Sequence, residues 1–210
     1  MAHHINPDLS FEQALWSAGI TLIAGIDEAG RGAWAGPVSA GAVILPARAD
    51  LAQLLAGVRD SKQMTPAQRA RWSMQICVVA LAWGVGFASA AEIDELGILP
   101  ATRLAMQRAI DCLALAPQHL LVDALRLPFI PLPQQALIKG DARVLSIAAA
   151  SVLAKTARDA LMVEQDAIHP GYGLARHKGY GTALHLAALH LLGPSPIHRK
   201  SFAPIKAILS

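Results

Sequence analysis

Asp27 and Glu28 stand side by side in IAGIDEAGRGAWAGP, residues 23–37, straight after an apolar run and just ahead of Gly30, Gly32, Gly36 and Pro37. Neighbouring carboxylates suit acid–base chemistry or a divalent cation, provided both reach one site. Successive side chains of a strand point to opposite faces. The pair can therefore converge only at a strand's end or beside a bend, and the glycines supply such a bend. Two further acidic residues have apolar surroundings: Asp123 in QHLLVDAL (118–125) and Asp141 in KGDARVLSIAAAS (139–151). Burying a carboxylate without a partner is expensive. Each has a local explanation. Arg31 could pair with Asp27 or Glu28, Arg126 or a lysine with Asp123, and Asp141 could be an ordinary helix N-cap. Together, however, the four supply the oxygen donors and the roughly four negative charges that a site for two Mg²⁺ ions requires.

The elements that must position these residues alternate between strand and helix. ITLIAGID (20–27) and VSAGAVILP (38–46) read as strands joined by the glycine-rich turn, and VVALAWGVGFAS (78–89) as a third strand. Thr65-Pro66 opens a helix that runs through Cys77. AEIDELGI (91–98) and ATRLAMQRAIDCLAL (101–115) read as helices, QHLLVDAL as a buried strand ending near Asp123, and QQALIK (134–139) as a fifth strand. A long alanine-rich helix is expected from about Ala142 to Gln165, with Asp141 opening it, and Thr182 caps a helix through Leu192 that Gly193-Pro194 closes. This order predicts an α/β fold with a mixed sheet and helices on its faces. Without repeats or a linker, residues 1–210 read as a single domain, with a core over about 20–168 and a C-terminal helical extension over about 169–210.

Composition excludes several classes. The chain of 210 residues is 54% hydrophobic, enough for one substantial core. Its apolar runs are broken before the roughly 18–20 residues that a membrane span needs. The N-terminus lacks the charged and apolar regions of a secretory signal. Cys77 and Cys112 lie far apart in apolar patterns and read as reduced, buried thiols, consistent with a cytoplasmic protein. A net charge of +3 is modest, but the basic residues cluster beside aromatics in RHKGYGT (176–182) and IHRKSF (197–202), as in nucleic-acid grooves. Zinc is rejected: His185 and His190 are not spaced for one helical face and the cysteines form no CxxC. His3-His4 read as a flexible tail.

GIDEAGRG, DSK (60–62), LVDAL, KGDARVLSIAAASVLAKTARD, HKGYGT and GPSPIHRKSFAP occur in that order. In them the chain resembles ribonuclease HII, the type 2 bacterial ribonuclease H, from about Leu22 to Ile205. The resemblance implies a ribonuclease H-like fold with a mixed five-stranded sheet flanked by helices and a C-terminal helical extension. It implies that Asp27, Glu28, Asp123 and Asp141 bind two divalent ions, Mg²⁺ or Mn²⁺, that Gly30, Arg31 and Gly32 read the 2′-hydroxyl, and that Tyr180 packs on the sugar of the following nucleotide. The implied activity is hydrolysis of RNA in RNA/DNA hybrids and incision 5′ of single ribonucleotides in duplex DNA, leaving 3′-hydroxyl and 5′-phosphate ends. It proceeds by an in-line displacement in which one ion activates water and the other stabilises the leaving oxygen.

Further contacts are expected around the substrate. Lys62 is expected to touch a phosphate or one of the acidic ligands, and Ser151 to donate to the nucleic-acid backbone. His177, Lys178, His198 and Arg199 are expected to line the duplex-binding face. Lys155 and Asp159 have the spacing of a helical ion pair. Ala33-Trp34 stands where the family has proline and leucine, and Leu174 where it has phenylalanine. The resemblance implies a monomer, and no sliding-clamp peptide is evident in SFAPIKAILS. The rival readings are another nuclease of the same fold, a non-catalytic nucleic-acid-binding module and, more distantly, a Mg²⁺ phosphatase. A pure polyanion binder gains nothing from four clustered negative charges.

Overall fold

The computed structural model describes residues 6–210, so that His3-His4 lie outside the described residues. In chain order the elements are α1 (Ser10–Ser17), β1 (Ile23–Ala29), β2 (Val38–Ile44), α2 (Leu51–Leu54), α3 (Pro66–Val79), β3 (Ala82–Ala88), α4 (Ala90–Leu96), α5 (Ile98–Asp111), β4 (His119–Asp123), β5 (Gln134–Leu137), α6 (Leu145–Ile168), α7 (Leu174–His177), α8 (Ala183–Leu192) and α9 (Ala203–Leu209). The strands form one sheet in the order β3-β2-β1-β4-β5. β1 is antiparallel to β2, and β2 to β3, whereas β1–β4 and β4–β5 are parallel. The sheet is therefore mixed and five-stranded, with helices on both faces, as expected. Among the described residues no helix is long and apolar enough to cross a membrane.

Alternation along the strands divides the core. Ala24 and Ile26 of β1, with Ala40 and Ala42 of β2, pack against Ala101, Ala105, Met106 and Ala109 of α5. On the opposite face Ile23 meets Ile147, and Val43 belongs to the cluster that contains Ala149 and Val152 of α6. Glycine sets how closely the helices approach. A Cβ on Gly25 would lie 2.2 Å from the Ser146 carbonyl carbon, and one on Gly41 would lie 2.3 Å from the Ala150 oxygen. Gly84 and Gly86 are pressed in the same way against the Ala109 and Ala105 carbonyls of α5. These strands are thus seats for two helix backbones.

Several boundaries differ from expectation. The Thr65–Gln68 capping box starts α3 as anticipated, but the helix continues to Val79 and β3 begins only at Ala82. An apolar run alone does not separate the end of a helix from the start of a strand. The N-terminal helix α1 was not anticipated. Its Glu12 is buried, and Oε1 accepts the Ser146 N–H of α6 at 2.8 Å. That contact explains a second correction: α6 begins at Leu145, and Asp141 sits before it in a 3₁₀ turn over Gly140–Ala142. A carboxylate from a different helix serves the α6 N-terminus, so Asp141 is not its cap. Cys77 is half-buried and Cys112 exposed rather than both being buried, because Cys112 lies just past the end of α5.

Gly25→Ala should cost about 1–3 kcal/mol of stability, the usual range for overpacking a tight contact. Urea unfolding should show a lower midpoint with an unchanged slope; an unchanged midpoint would mean that α6 moves away from β1 without cost.

Candidate active site

β1 pairs with β4 only as far as Ile26–Val122, while its pairing with β2 continues through Asp27–Gly41 and Glu28–Ala40. The two acidic residues therefore occupy the part of β1 beyond its register with β4, and Asp123 is the last residue of β4. Opened in this way, the sheet lets side chains from both of its faces converge at the carboxyl end of the parallel strands, where open α/β sheets place their ligands. Oxygens of Asp27, Glu28 and Asp123 all lie within 4.8 Å of one another. Asp141 is outside that group of three but is close enough to act on the charges of Asp27 and Asp123. The structure thus brings three of the four predicted carboxylates into one cluster and sets the fourth beside it.

Electrostatics in the cluster are unfavourable for bare carboxylates. Burial, followed by the charges of Glu28, Asp123 and Asp141, pushes the Asp27 carboxyl well above the usual range. Burial also raises Glu28, with Arg31 opposing it, and raises Asp123 and Asp141. Asp27 Oδ1 accepts the Glu28 N–H at 2.7 Å and Asp123 Oδ1 the Gly140 N–H at 2.7 Å. Asp27 Oδ2 and Glu28 Oε2 are buried without a hydrogen-bond partner. Orphaned, buried oxygen donors of hard carboxylates are what a divalent cation such as Mg²⁺ or Mn²⁺ fits.

Local pairing accounts for part of the charge. Arg31 reaches Glu28 at 3.2 Å as the simple reading allowed, whereas Asp123 makes no ion pair with Arg126. Lys62 Nζ lies 3.6 Å from Asp141 Oδ2, so it contacts an acidic residue as expected. Burial works against the Lys62 charge, but Asp60, Asp27, Asp141 and Glu28 together raise its pKa. Backbone strain marks the same places. Among the described residues, the non-glycine positions with positive φ are Ala124, directly after Asp123, Lys139, two before Asp141, and Lys178, two before Tyr180. Such conformations cost on the order of 1–3 kcal/mol and collect at functional sites.

The glycine-arginine-glycine turn is built by residues far away in sequence. Arg199 is fully buried, and its Nη2, Nη1 and Nε donate to the carbonyls of Gly30, Arg31 and Gly36 at 2.8, 2.8 and 3.0 Å. The expectation that Arg199 lines the duplex-binding face is therefore wrong: its three donor groups are used inside the protein. Burial first, then the like charge of Arg158, pushes its pKa down to about 9, which still leaves it cationic at neutral pH. Arg158, also fully buried and not anticipated, binds the carbonyls of Pro37, Ala35 and Lys178. The available signal was its place on the buried stripe of α6, four residues from Ala154 and four from Met162. Gly30 is required here, since φ is +92° and a Cβ would lie 2.0 Å from Arg158 Nε, whereas Gly32 faces open space.

The remaining predicted contacts divide. Ser151 is buried and shares a 2.8 Å hydrogen bond with Ser61, so it anchors the DSK segment to α6 and is not placed to meet nucleic acid. His177 and His198 are buried as well, and only Lys178 of that group is partly accessible. Lys155 and Asp159 form the expected pair at 2.7 Å, extended by Arg69 at 3.0 Å. Tyr180 is half-buried, with the Lys155 and Arg158 cations 5.2 and 5.3 Å from its ring centroid. It opens onto a cleft of about 610 Å³ lined by Arg69, Lys155, Asp159, Arg176 and Lys178. Trp34 packs where a Gly181 side chain would fall, and Leu174 is fully buried beside Ala35 and Met162. Both departures are packing residues.

The family model described as ribonuclease HII matches residues 24–205. Ribonuclease HII of Chloroflexus aurantiacus is 56% identical over 206 residues, covering 97% of each chain. The crystal structure of ribonuclease H2 from Pyrococcus horikoshii is 26% identical with a TM-score of 0.72, over 89% of this chain and 96% of that one. Bst-RNase HIII in complex with Mn²⁺ shares the fold, with a TM-score of 0.68 at 20% identity over 93% and 72% of the two chains.

Arg199→Met should leave three carbonyls without their donors and lower stability by about 3 kcal/mol or more, at roughly 1–3 kcal/mol for each unsatisfied buried group. Arg199→Lys should recover only part of this, because one ammonium cannot span three acceptors. Denaturant unfolding of both variants checks this, and equal stability of wild type and Arg199→Lys would overturn the three-point clamp.

Proposed function

The chain belongs to the ribonuclease HII family, and from that premise we propose that it is a metal-dependent endoribonuclease that cuts the RNA strand of RNA/DNA hybrids and incises 5′ of single ribonucleotides in duplex DNA. The observation that carries this reading is the cluster of Asp27, Glu28 and Asp123, whose oxygens lie within 4.8 Å of one another. Asp141 and Lys62 stand beside it. Mg²⁺ or Mn²⁺ would be held by Asp27, Glu28 and Asp123 with Asp141 alongside. Divalent ions in such a site supply water activation and charge stabilisation at the leaving 3′-oxygen.

The chain's own groups would do the rest. Among the described residues no hydrogen bond occupies the N–H of Arg31 or the N–H and C=O of Gly32. Arg199 holds the Gly30 and Arg31 carbonyls inward, so the turn presents two free donors and a free acceptor. A 2′-hydroxyl both donates and accepts, and it is the group that separates RNA from DNA. Open space at Gly32 lets a nucleic-acid backbone approach the main chain. Tyr180 would pack on the sugar of the following nucleotide, while Lys178 in the adjoining cleft neutralises phosphate. Lys62, with an exposed side chain, would bridge Asp141 and the scissile phosphate.

A non-catalytic binding module is the competing reading. The buried, unpartnered oxygens of Asp27 and Glu28 disfavour it, because they repel a polyanion unless a cation intervenes.

End-labelled duplex DNA with one ribonucleotide should be cut once, on its 5′ side, in Mg²⁺ or Mn²⁺ and not in EDTA, and an all-DNA duplex should stay intact. Asp27→Asn should reduce the rate by about a thousandfold or more, the scale of an electrostatic group lost from an active site. Binding without cutting by wild type would favour the inactive module. Tyr180→Ala should slow incision at the single ribonucleotide by about tenfold or more while leaving the Mn²⁺ concentration that raises Tm within about twofold of wild type. Equal loss of both would remove Tyr180 from substrate reading.

A further inference from the structure

Three histidines from separate parts of the C-terminal region meet behind Tyr180. His177 ends α7, His185 lies in the first turn of α8 and His198 follows the loop after α8. The His177 and His185 rings stack at 4.3 Å with an interplanar angle of 17°, and His185 and His198 lie 5.2 Å apart between centroids. His185 and His198 are buried almost completely. None of this resembles a metal site: the facing nitrogens bond to each other.

Main-chain groups at the two ends of this histidine relay select one set of tautomers. His198 Nδ1 faces both the Ser195 N–H at 2.9 Å and the Ser195 Oγ at 2.8 Å; the N–H can only donate and the hydroxyl can turn its proton to suit, so Nδ1 carries a lone pair and the His198 proton is on Nε2. That Nε2 lies 3.0 Å from His185 Nε2, which must therefore accept, and the His185 proton is on Nδ1. Nδ1 in turn lies 3.0 Å from the Tyr180 carbonyl oxygen, which can only accept. The Gly179 N–H donates to His177 Nδ1 and leaves His177 Nε2 to donate to the Tyr172 carbonyl. All three rings are neutral in this arrangement, and an added proton on His185 or His198 would break at least one bond. Burial lowers the pKa of both, that of His198 to about 4, with the neighbouring histidines adding to the effect.

We propose that His185, held in its tautomer by His198, is a positioning residue that fixes the main chain at Tyr180 and so sets how well the tyrosine ring meets the sugar beside the incised ribonucleotide. This rests on the function proposed above. Before Tyr180, Gly179 is already fixed, its carbonyl accepting the Trp34 and Ala35 N–H groups at 2.8 and 3.2 Å, whereas after it comes Gly181, so the peptide that follows the tyrosine is the one that needs a further restraint. The Tyr180 N–H is held by the His177 carbonyl at 2.9 Å and the Tyr180 carbonyl by His185. His185 supplies the only one of these two restraints that comes from a side chain, and α8 carries it rigidly, with Thr182 Oγ1 accepting the His185 N–H at 3.1 Å.

Two substitutions separate the donor from the ring. His185→Phe keeps the stacked ring and loses the donor; His185→Asn keeps a donor where Nδ1 stands and loses the stack. Each variant is assayed on duplex DNA with one ribonucleotide and on a continuous RNA/DNA hybrid. His185→Phe should lower the ratio of the two rates by about tenfold, the effect of one lost hydrogen bond expressed in rate, and His185→Asn should restore most of it. A ratio unchanged in His185→Phe, or equal losses in the two variants, overturns the proposal. Should the variants not fold, ¹⁵N NMR of histidine in the wild-type protein at pH 7 still decides. His185 protonated on Nδ1 and His198 on Nε2 support the relay, and any other tautomer or an imidazolium overturns it. Wild type that cuts neither substrate rejects the functional reading itself, and the positioning role with it.

Discussion

Two buried guanidinium ions without ion-pair partners hold this molecule's working parts together. Arg158 and Arg199 each donate to three main-chain carbonyls, and among the described residues neither meets a carboxylate. Desolvating a cation is costly, and only hydrogen bonds to charged groups or full sets of dipoles offset it. Six carbonyls do so here. They belong to the turn after β1 and to the segment before Tyr180, so the clamp ties the strand that bears Asp27 and Glu28 to the C-terminal region that bears the tyrosine. The C-terminal region is thereby tied to the candidate site: the loop that follows α8 reaches back, through Arg199, to shape the turn that follows β1.

Positive charge is thus used up inside the protein, away from the carboxylates. Arg31 and Lys62 are the cations that touch the acidic cluster, each at a single residue. Burial and mutual repulsion keep the carboxyl groups above their ordinary pKa values, which is an electrostatic deficit that a divalent cation removes. The glycine seats on β1 and β2 belong to the same design. They seat α6 on the sheet, Glu12 of α1 accepts the Ser146 N–H at its N-terminus, and Asp141, which does not cap the helix, lies beside the cluster.

Strain and neutrality complete the arrangement. Ala124, Lys139 and Lys178 adopt left-handed backbone next to three different candidate residues, which a sequence selected only for stability would have given to glycine. Beside Tyr180 the proposed histidine relay adds no charge, and the cleft next to the tyrosine takes its basic character from Arg69, Lys155, Arg176 and Lys178.

The acidic pattern, the alternating strands and helices and the glycine-rich turn were legible in the amino-acid sequence, because each rests on local chemistry: a carboxylate in an apolar run, a capping pair, a period of two. Asp27, Glu28, Asp123 and Asp141 stood out on those grounds, and ordered segments such as GIDEAGRG and HKGYGT identified the family. The roles of Arg199, His198 and Ser151 were not legible, because a basic or polar residue looks the same in the sequence whether it faces solvent or the interior. Arg199 sits 169 positions from the Gly30 carbonyl it binds, and Ser151 sits 90 from Ser61. Glu12, 134 residues from Ser146, took the capping role that local spacing assigned to Asp141. Sequence by itself singled out the carboxylates proposed to carry the chemistry; tertiary structure decided which of the other candidates are spent inside, since burial and hydrogen-bond partners are properties of segments brought together only by the fold.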